Sequence, residues 1–397
     1  MAGIAVLAFA YVLSQFYRSF LAVLTPALSA DLGATKADLS EASGAWFVSF
    51  ALMQFLVGVS LDRFGPRITA AIMLGVAGGG GALLFAAASA PWMITLAMVL
   101  IGIGCAPVLM AAFFIFARVY SPGRFAMYAS WMVAFGSAGN VIGATPLAAA
   151  GEAFGWRPVM AGLAAVTVIV AVLLFLVLRD PPRPEGEGRS SGFAGYGELM
   201  RMRVLWPIIP LVAINYAAAA GIRGLWAGPY LADVHGADAI VIGNVTLAMA
   251  MAMVAGSFVY GPLDRLFGTR KWVAAGGNAI VLGAIVWLWL SPSAALVGVT
   301  AALVVIGLAG MSYGMLMAHS RAFLPAHLTG RGVTLMNFFS IGGVGLLQFL
   351  TGWVVTAWAV PGEPQAAYGA LWLFYAVTLG AGLLVYLASR DARPEES

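Results

Sequence analysis

Gly58-Val59-Ser60-Leu61-Asp62-Arg63-Phe64-Gly65-Pro66-Arg67 returns in the second half of the chain as Gly261-Pro262-Leu263-Asp264-Arg265-Leu266-Phe267-Gly268-Thr269-Arg270. Each copy lies between two long apolar stretches, so its charges occupy a short loop. Asp62 and Asp264 are 202 positions apart. A second device repeats at nearly the same interval. Ser14-Gln15-Phe16-Tyr17-Arg18 places an arginine deep in the first apolar stretch, and Arg223, 205 positions on, follows Asn215-Tyr216 inside another. The stretches that carry them end alike, in Pro26-Ala27-Leu28 with Asp31 and in Pro229-Tyr230-Leu231 with Asp233. The halves are therefore copies of one arrangement. Parallel repeats of this kind in a membrane are related by an axis along the membrane normal.

The composition sets the solvent. Of 397 residues 62% are hydrophobic and 9% charged, with mean hydropathy +0.95, where soluble domains carry about 25% charge. A crossing helix needs about 20 apolar residues. Twelve such spans can be drawn: 4–28, 41–61, 68–89, 92–117, 125–149, 157–178, 207–231, 241–263, 272–290, 294–318, 334–358 and 367–388. The expected fold class is an all-α membrane protein with twelve transmembrane helices in two pseudo-symmetric six-helix bundles. The bundles cover 1–179 and 207–389, joined by a cytoplasmic linker at 180–206 and followed by a tail at 390–397. Within the linker, Gly197–Arg203 reads as a short surface helix or a flexible connection. The first helix lacks a small-residue cleavage pattern and is expected to be retained. Cys105 is the single cysteine, so an intramolecular disulfide is excluded.

The excess of basic residues, net +4, marks orientation rather than a nucleic-acid partner. With a cytoplasmic N-terminus, the basic residues of the repeated loops, the linker and the tail all fall inside, and only Lys36 and Arg157 fall outside. That is the positive-inside bias, and it puts both termini in the cytoplasm.

Arg18 is costly where it lies, about 2.5–3.5 kcal/mol on insertion scales, so it must face protein or a water-filled cavity. Tyr11, Ser14 and Gln15 precede it at helical spacing and share its face. The repeat axis would set Arg18 and Arg223 at similar depth, across a central cavity. Two like charges there repel, an anion between them relieves the cost, and a guanidinium fork matches carboxylate or phosphate. The alternative for each arginine is a hydrogen bond to helix carbonyls or a cap at a helix break. The candidate substrate residues are Arg18, Arg223, Tyr11, Gln15, Tyr216 and Trp226.

The loop pattern of glycine, three residues, Asp-Arg, one residue, glycine, one residue, arginine resembles the signature between helices two and three of the major facilitator superfamily. The resemblance covers the whole chain and implies the major facilitator fold and transport by alternating access. It also implies a cytoplasmic charge latch, with gating roles for Asp62, Arg63, Arg67, Asp264, Arg265 and Arg270. A plain positive-inside anchor would need no aspartate. Phe16-Tyr17-Arg18…Pro26…Asp31-Leu32-Gly33 looks like the first helix of the organophosphate antiporter and anion:cation symporter branches, in which an arginine at that place binds the anion. Arg223-Gly224-Leu225-Trp226…Pro229-Tyr230-Leu231 is similar to the seventh helix of the antiporters. The departure is Tyr17, since proton-coupled anion symporters carry intramembrane carboxylates.

All sixteen acidic residues fall in loops, termini or helix ends. Cation exporters commonly use a membrane-embedded carboxylate, so a drug exporter is disfavoured and anion exchange or facilitated movement is favoured. No nucleophile–base set or cofactor fingerprint marks an enzyme, and neither a cofactor nor a metal is expected. Met249 and Met253, and Met311 and Met315, are spaced i, i+4. They define the alternative, uptake of a soft metal such as copper, beside transport of a neutral solute. Methionine also simply packs helices. His319, beside Arg321, reads as a cap or loop contact. Gly78 to Gly81 and Gly136, Gly139 and Gly143 read as close-packing devices, since no lysine–serine follows to make a phosphate loop. The expected partners are a small anionic substrate and the lipid bilayer, for a monomer in a bacterial-type inner membrane.

Overall fold

The computed structural model describes residues 2–120, 128, 131–181, 194–325 and 329–392, and within these not the side chains at positions 62, 117, 194, 195 and 329–331. The gating role expected of the Asp62 side chain and the structure of 182–193 and 393–397 lie outside the described residues.

Among the described residues eleven helices are long and apolar enough to cross a membrane, and a bent pair makes a twelfth. Span 1 is that pair, Ala2–Phe16 and Leu21–Leu32. The others are span 2 (Lys36–Leu61), span 3 (Arg63–Ala86), span 4 (Pro91–Phe116), span 5 (Trp131–Phe154), span 6 (Trp156–Val177), span 7 (Ile209–His235), span 8 (Ala239–Phe267), span 9 (Lys271–Leu290), span 10 (Leu296–Arg321), span 11 (Gly332–Ala357) and span 12 (Pro364–Leu387). A separate short helix, Ala194–Arg201, buries Leu199. The chain is an integral membrane protein of all-α class.

Local chemistry starts these helices where they start. Thr35 and Asp38 form a reciprocal cap at the head of span 2, each side chain accepting the other's backbone N–H. Asp238 caps span 8 by accepting from the Val241 amide at 2.8 Å. Pro91 and Pro364 open spans 4 and 12, where a missing N–H costs nothing.

The contacts divide the chain into two compact units, Met1–Ser190 and Ser191–Ser397. In the first, span 1 packs on spans 5 and 6, span 3 on spans 4 and 6, and span 2 on span 4. In the second, span 7 packs on spans 11 and 12, span 9 on spans 10 and 12, and span 8 on span 10. The same five pairings occur in each, six positions along in helix order. The repeat read from two loops is thus a repeat of packing.

Span 1 departs from the continuous helix expected over 4–28. It breaks at Tyr17–Phe20 and bends by 53°. At the break Arg18 and Ser19 donate to carbonyls three residues back, the tighter 3₁₀ pattern. The side chains supply the reason. Phe16 stacks on Phe20 at 5.5 Å between centroids, and Phe20 packs on Phe85 at 5.2 Å. Tyr17, fully buried, reaches Thr167 on span 6 at 2.9 Å. Thr167 spends its own proton on the Leu163 carbonyl, so Tyr17 is the donor. Span 7 is also irregular. Ala217–Trp226, which includes Arg223, is wound as a π-helix, a form that recurs at functional sites.

Candidate substrate site and signature loops

Arg18 sits at the break of span 1, half-buried. Its guanidinium carbon lies 4.8 Å from the Phe50 ring centroid and 5.4 Å from that of Trp46, both on span 2. Among the described residues no carboxylate comes within ion-pair distance of it, and its Nε is buried without a hydrogen bond. One turn back, Gln15 donates to the Tyr11 hydroxyl at 3.2 Å, and its Oε1 is left unbonded. The Tyr11 ring fills the space that a Cβ at Gly136 on span 5 would occupy. Tyr11, Gln15 and Arg18 therefore belong to one wall of the first unit.

Arg223 is 3% exposed. Its π segment is stitched to span 11 on both sides. Gln348 donates to the Gly221 carbonyl at 3.2 Å, and the Trp226 indole N–H donates to the Thr351 hydroxyl at 2.9 Å. Trp226 is fully buried, and its polar atom is committed to that contact. Tyr216 is half-buried and packs on Tyr313 at 5.3 Å, while the Tyr313 hydroxyl donates to Asn337 at 3.1 Å. Below them Asn215 donates to Asn278 at 2.8 Å and to Ser312 at 3.0 Å, pinning spans 7, 9 and 10 together. Ser312 sits at a break in span 10, between helices Leu296–Gly310 and Tyr313–Arg321.

The methionines give a different picture. Met253 and Met311 pack with Ala219, Ala220 and Tyr216 in one apolar cluster. Met249 and Met315 are buried. Methionine beside alanine and a tyrosine ring is the environment of a packing residue.

The signature loops are held by carboxylates that neither loop contains. In the first unit Gly65 takes φ +84°, and the Asp180 carboxylate, just past span 6, lies against it. Asp180 accepts from the Arg67 amide at 2.8 Å, and the Arg67 guanidinium stands 3.9 Å away. In the second unit Gly268 takes φ +65°, and Asp391, just past span 12, accepts from the Thr269 hydroxyl at 2.6 Å and the Lys271 amide at 3.0 Å. The two carboxylates thus cap spans 3 and 9 in the same way. Inside the second loop Arg270 donates to Asp264 at 3.2 Å, both well covered. Arg63 and Arg265 are exposed. His319, fully buried, bridges the same region, with Nε2 2.8 Å from the Arg390 carbonyl and Nδ1 2.7 Å from the Tyr386 hydroxyl. The nitrogen facing a carbonyl carries a proton, so in the neutral imidazole Tyr386 donates to Nδ1.

At the opposite ends of spans 1 and 7 the repeat shows again. Asp31 accepts from the Trp156 indole at 3.1 Å and pairs with Arg157, at the head of span 6. Asp233 accepts from the Tyr368 hydroxyl at 2.5 Å, at the head of span 12.

Comparison with known proteins agrees with this architecture. The model of the Major Facilitator Superfamily matches residues 7–340. The membrane sensor protein UhpC of Salmonella typhimurium (strain LT2) is 24% identical over 415 residues, covering 95% of this chain and 88% of that protein. UhpC of Escherichia coli (strain K12) is 24% identical over 321 residues, covering 72% and 70%. Among solved structures, a bacterial homolog of the human lysosomal transporter Spinster, inward-facing and occupied, aligns with TM-score 0.80 at 20% identity over 97% of this chain and 96% of that one. A D-xylose-proton symporter aligns with TM-score 0.78 at 13% identity over 99% and 98%. This chain, a membrane transporter fold and not an enzyme, belongs to the Major Facilitator Superfamily.

Proposed function

We propose that the protein carries a small organic anion, of carboxylate or phosphate type, across a bacterial-type inner membrane by alternating access, with Arg18 and Arg223 as the anion's ligands. Both termini are cytoplasmic in this reading, and the working unit is a monomer. The observation that carries it is Arg18: a cation inside a membrane span, resting on two aromatic rings, with no carboxylate partner among the described residues. A structural arginine at that depth would be expected to hold an acid or a run of carbonyls. Arg223, on the π segment of the matching span, supports the same reading from the second unit.

Each hydrogen bond to a charged group contributes roughly 1.5–3 kcal/mol, so Arg18→Ala or Arg223→Ala should weaken anion binding about ten- to hundredfold. Lysine should restore only part, because it keeps the charge and loses the bidentate fork. The probes are inorganic phosphate, glycerol 3-phosphate and gluconate, titrated against the purified protein. Unchanged affinity in both alanine variants would end the anion reading. Loss on substituting Met249, Met253, Met311 or Met315 instead, with Cu(I) as probe, would favour the metal.

One observation favours a second reading. The curated relatives are named as membrane sensors, so the same site can serve to detect an anion rather than carry it. Counterflow in proteoliposomes separates the two: a carrier accumulates labelled anion against unlabelled anion, and a sensor binds it without accumulation.

A further inference from the structure

Resting on the anion reading above, we propose that Trp46 and Phe50 are positioning residues for the substrate: their rings hold the Arg18 guanidinium through its face and leave its hydrogen-bonding edge to the anion. Arg18 is a half-buried cation inside a membrane span. Its charge must be stabilised between transport cycles, when the anion is gone. A carboxylate would do this by taking the N–H edge, and would then compete with every incoming anion. An aromatic ring stabilises the same charge through its quadrupole and accepts nothing from the N–H edge in return. Arg18 has the second arrangement, over Phe50 at 4.8 Å and Trp46 at 5.4 Å, with its Nε unbonded.

The two rings are built as a platform. Trp46 and Phe50 are one helical turn apart on span 2, and stack at 5.1 Å with 18° between planes. Trp46 is fully buried and Phe50 is 4% exposed. Below them the single Ser49 hydroxyl proton lies within reach of both the Trp46 carbonyl at 3.0 Å and the Val99 carbonyl on span 4 at 3.1 Å, a shared bond that ties the segment to its neighbour. A buried indole normally finds a partner for its N–H, yet the Trp46 N–H has none. Its contacts are made by the ring instead, edge-to-face with Phe47 at 4.9 Å, stacked with Phe50, and against Arg18. Held this way, the guanidinium pays less ordering entropy when the anion arrives.

The test is a double-substitution cycle on the purified full-length chain, read as the dissociation constant for whichever of inorganic phosphate, glycerol 3-phosphate and gluconate the wild type holds best. Trp46→Leu and Phe50→Leu should each weaken binding about tenfold, within the two- to thirtyfold that cation–π energies span. Trp46→Phe and Phe50→Tyr, which keep a ring, should recover most of that loss. In an Arg18→Ala background the leucine substitutions should change nothing further, because the group they position is gone. Phe50→Met keeps the volume without the ring, and replaces leucine if the leucine variants do not fold. Leucine or methionine variants that bind like wild type, or that lose as much without Arg18 as with it, would reduce the pair to packing and overturn the proposal. Loss in Arg18→Ala alone leaves the anion reading standing without this one; a wild type that binds none of the three probes removes both.

Discussion

Asp180 and Asp391 show how much a single side chain can fix in this protein. Each stands just past the last span of its unit and reaches back to the loop that the sequence repeats. Burial opposes ionisation of Asp391, but the Thr269 hydroxyl and the Lys271 and Ala392 amides outweigh it and hold its carboxyl below the usual range. The sign of the pH effect follows. A carboxyl whose folded-state pKa is depressed contributes stability above its unfolded value of about 3.9, and that stability is lost as pH falls through the folded value. Partial exposure reduces the contribution to about 1 kcal/mol, so Asp391→Asn should lower Tm by about 2–4 °C at neutral pH. The gap to wild type should narrow as pH falls from about 4 through the lowered folded-state value; a gap that does not narrow in acid would show the bonds do not depend on the charge. Neither aspartate was legible in the sequence. Each lies outside the repeated motif and bonds mainly to backbone N–H, which leaves no pattern. Arg18 and Arg223 were legible because a charge in an apolar stretch needs only one chain to be seen. Trp46 and Phe50 were not, being apolar residues in an apolar helix.

At the scale of the helix, the spans themselves followed from hydropathy, and the irregularities did not. Ser14 to Phe20 contains no proline or glycine, so nothing in it announced the 53° bend. The break lies where Tyr17 and Phe20 reach Thr167 and Phe85 on other spans while Phe16 stacks on Phe20. The π winding of Ala217–Trp226 similarly changes which residues share a face. Trp226 is expected beside Arg223 because the two share a face or a turn, and the π winding alters which residues share a face there. Its indole meets Thr351 instead. Glycine spacing was better read, because close approach needs a missing Cβ. At Gly139 a Cβ would strike the Val12 carbonyl and the Phe16 amide, backbone atoms at the end of the first half of span 1. At Gly283, on the exposed face of span 9, it would meet nothing within 4 Å. Gly→Ala alone favours a helix by about 1 kcal/mol, and overpacking costs about 1–3 kcal/mol. Gly139→Ala should therefore lower the melting temperature and Gly283→Ala should leave it unchanged or slightly raised. Equal effects at the two sites would mean that span 5 does not need its close seat on span 1.

For the whole molecule, alternating access requires each unit to hold its own shape while the transporter changes state. The repeated ties at both ends of spans 6 and 12 supply this. Asp31 with Trp156 and Arg157, and Asp233 with Tyr368, join one end of each to the first span of its unit. Asp180 and Asp391 join the other end to the third. In the proposed latch it is the charge on the signature loops that switches, and Asp264 with Arg270 is the ion pair described there. Asp264→Asn removes one charge from a covered pair, so in the latch reading it shifts the balance between states without touching Arg18 or Arg223. A shift in that balance changes the rate of turnover, and alters apparent affinity only by the change in the fraction of binding-competent protein. Asp264→Asn should then slow anion counterflow in proteoliposomes while its dissociation constant in detergent stays near wild type. Asp62→Asn, at the matching place in the first loop, should act the same way. Normal counterflow in both variants at normal expression would leave the loops as positive-inside anchors. Loss of binding along with transport would place these aspartates in the substrate site rather than the latch.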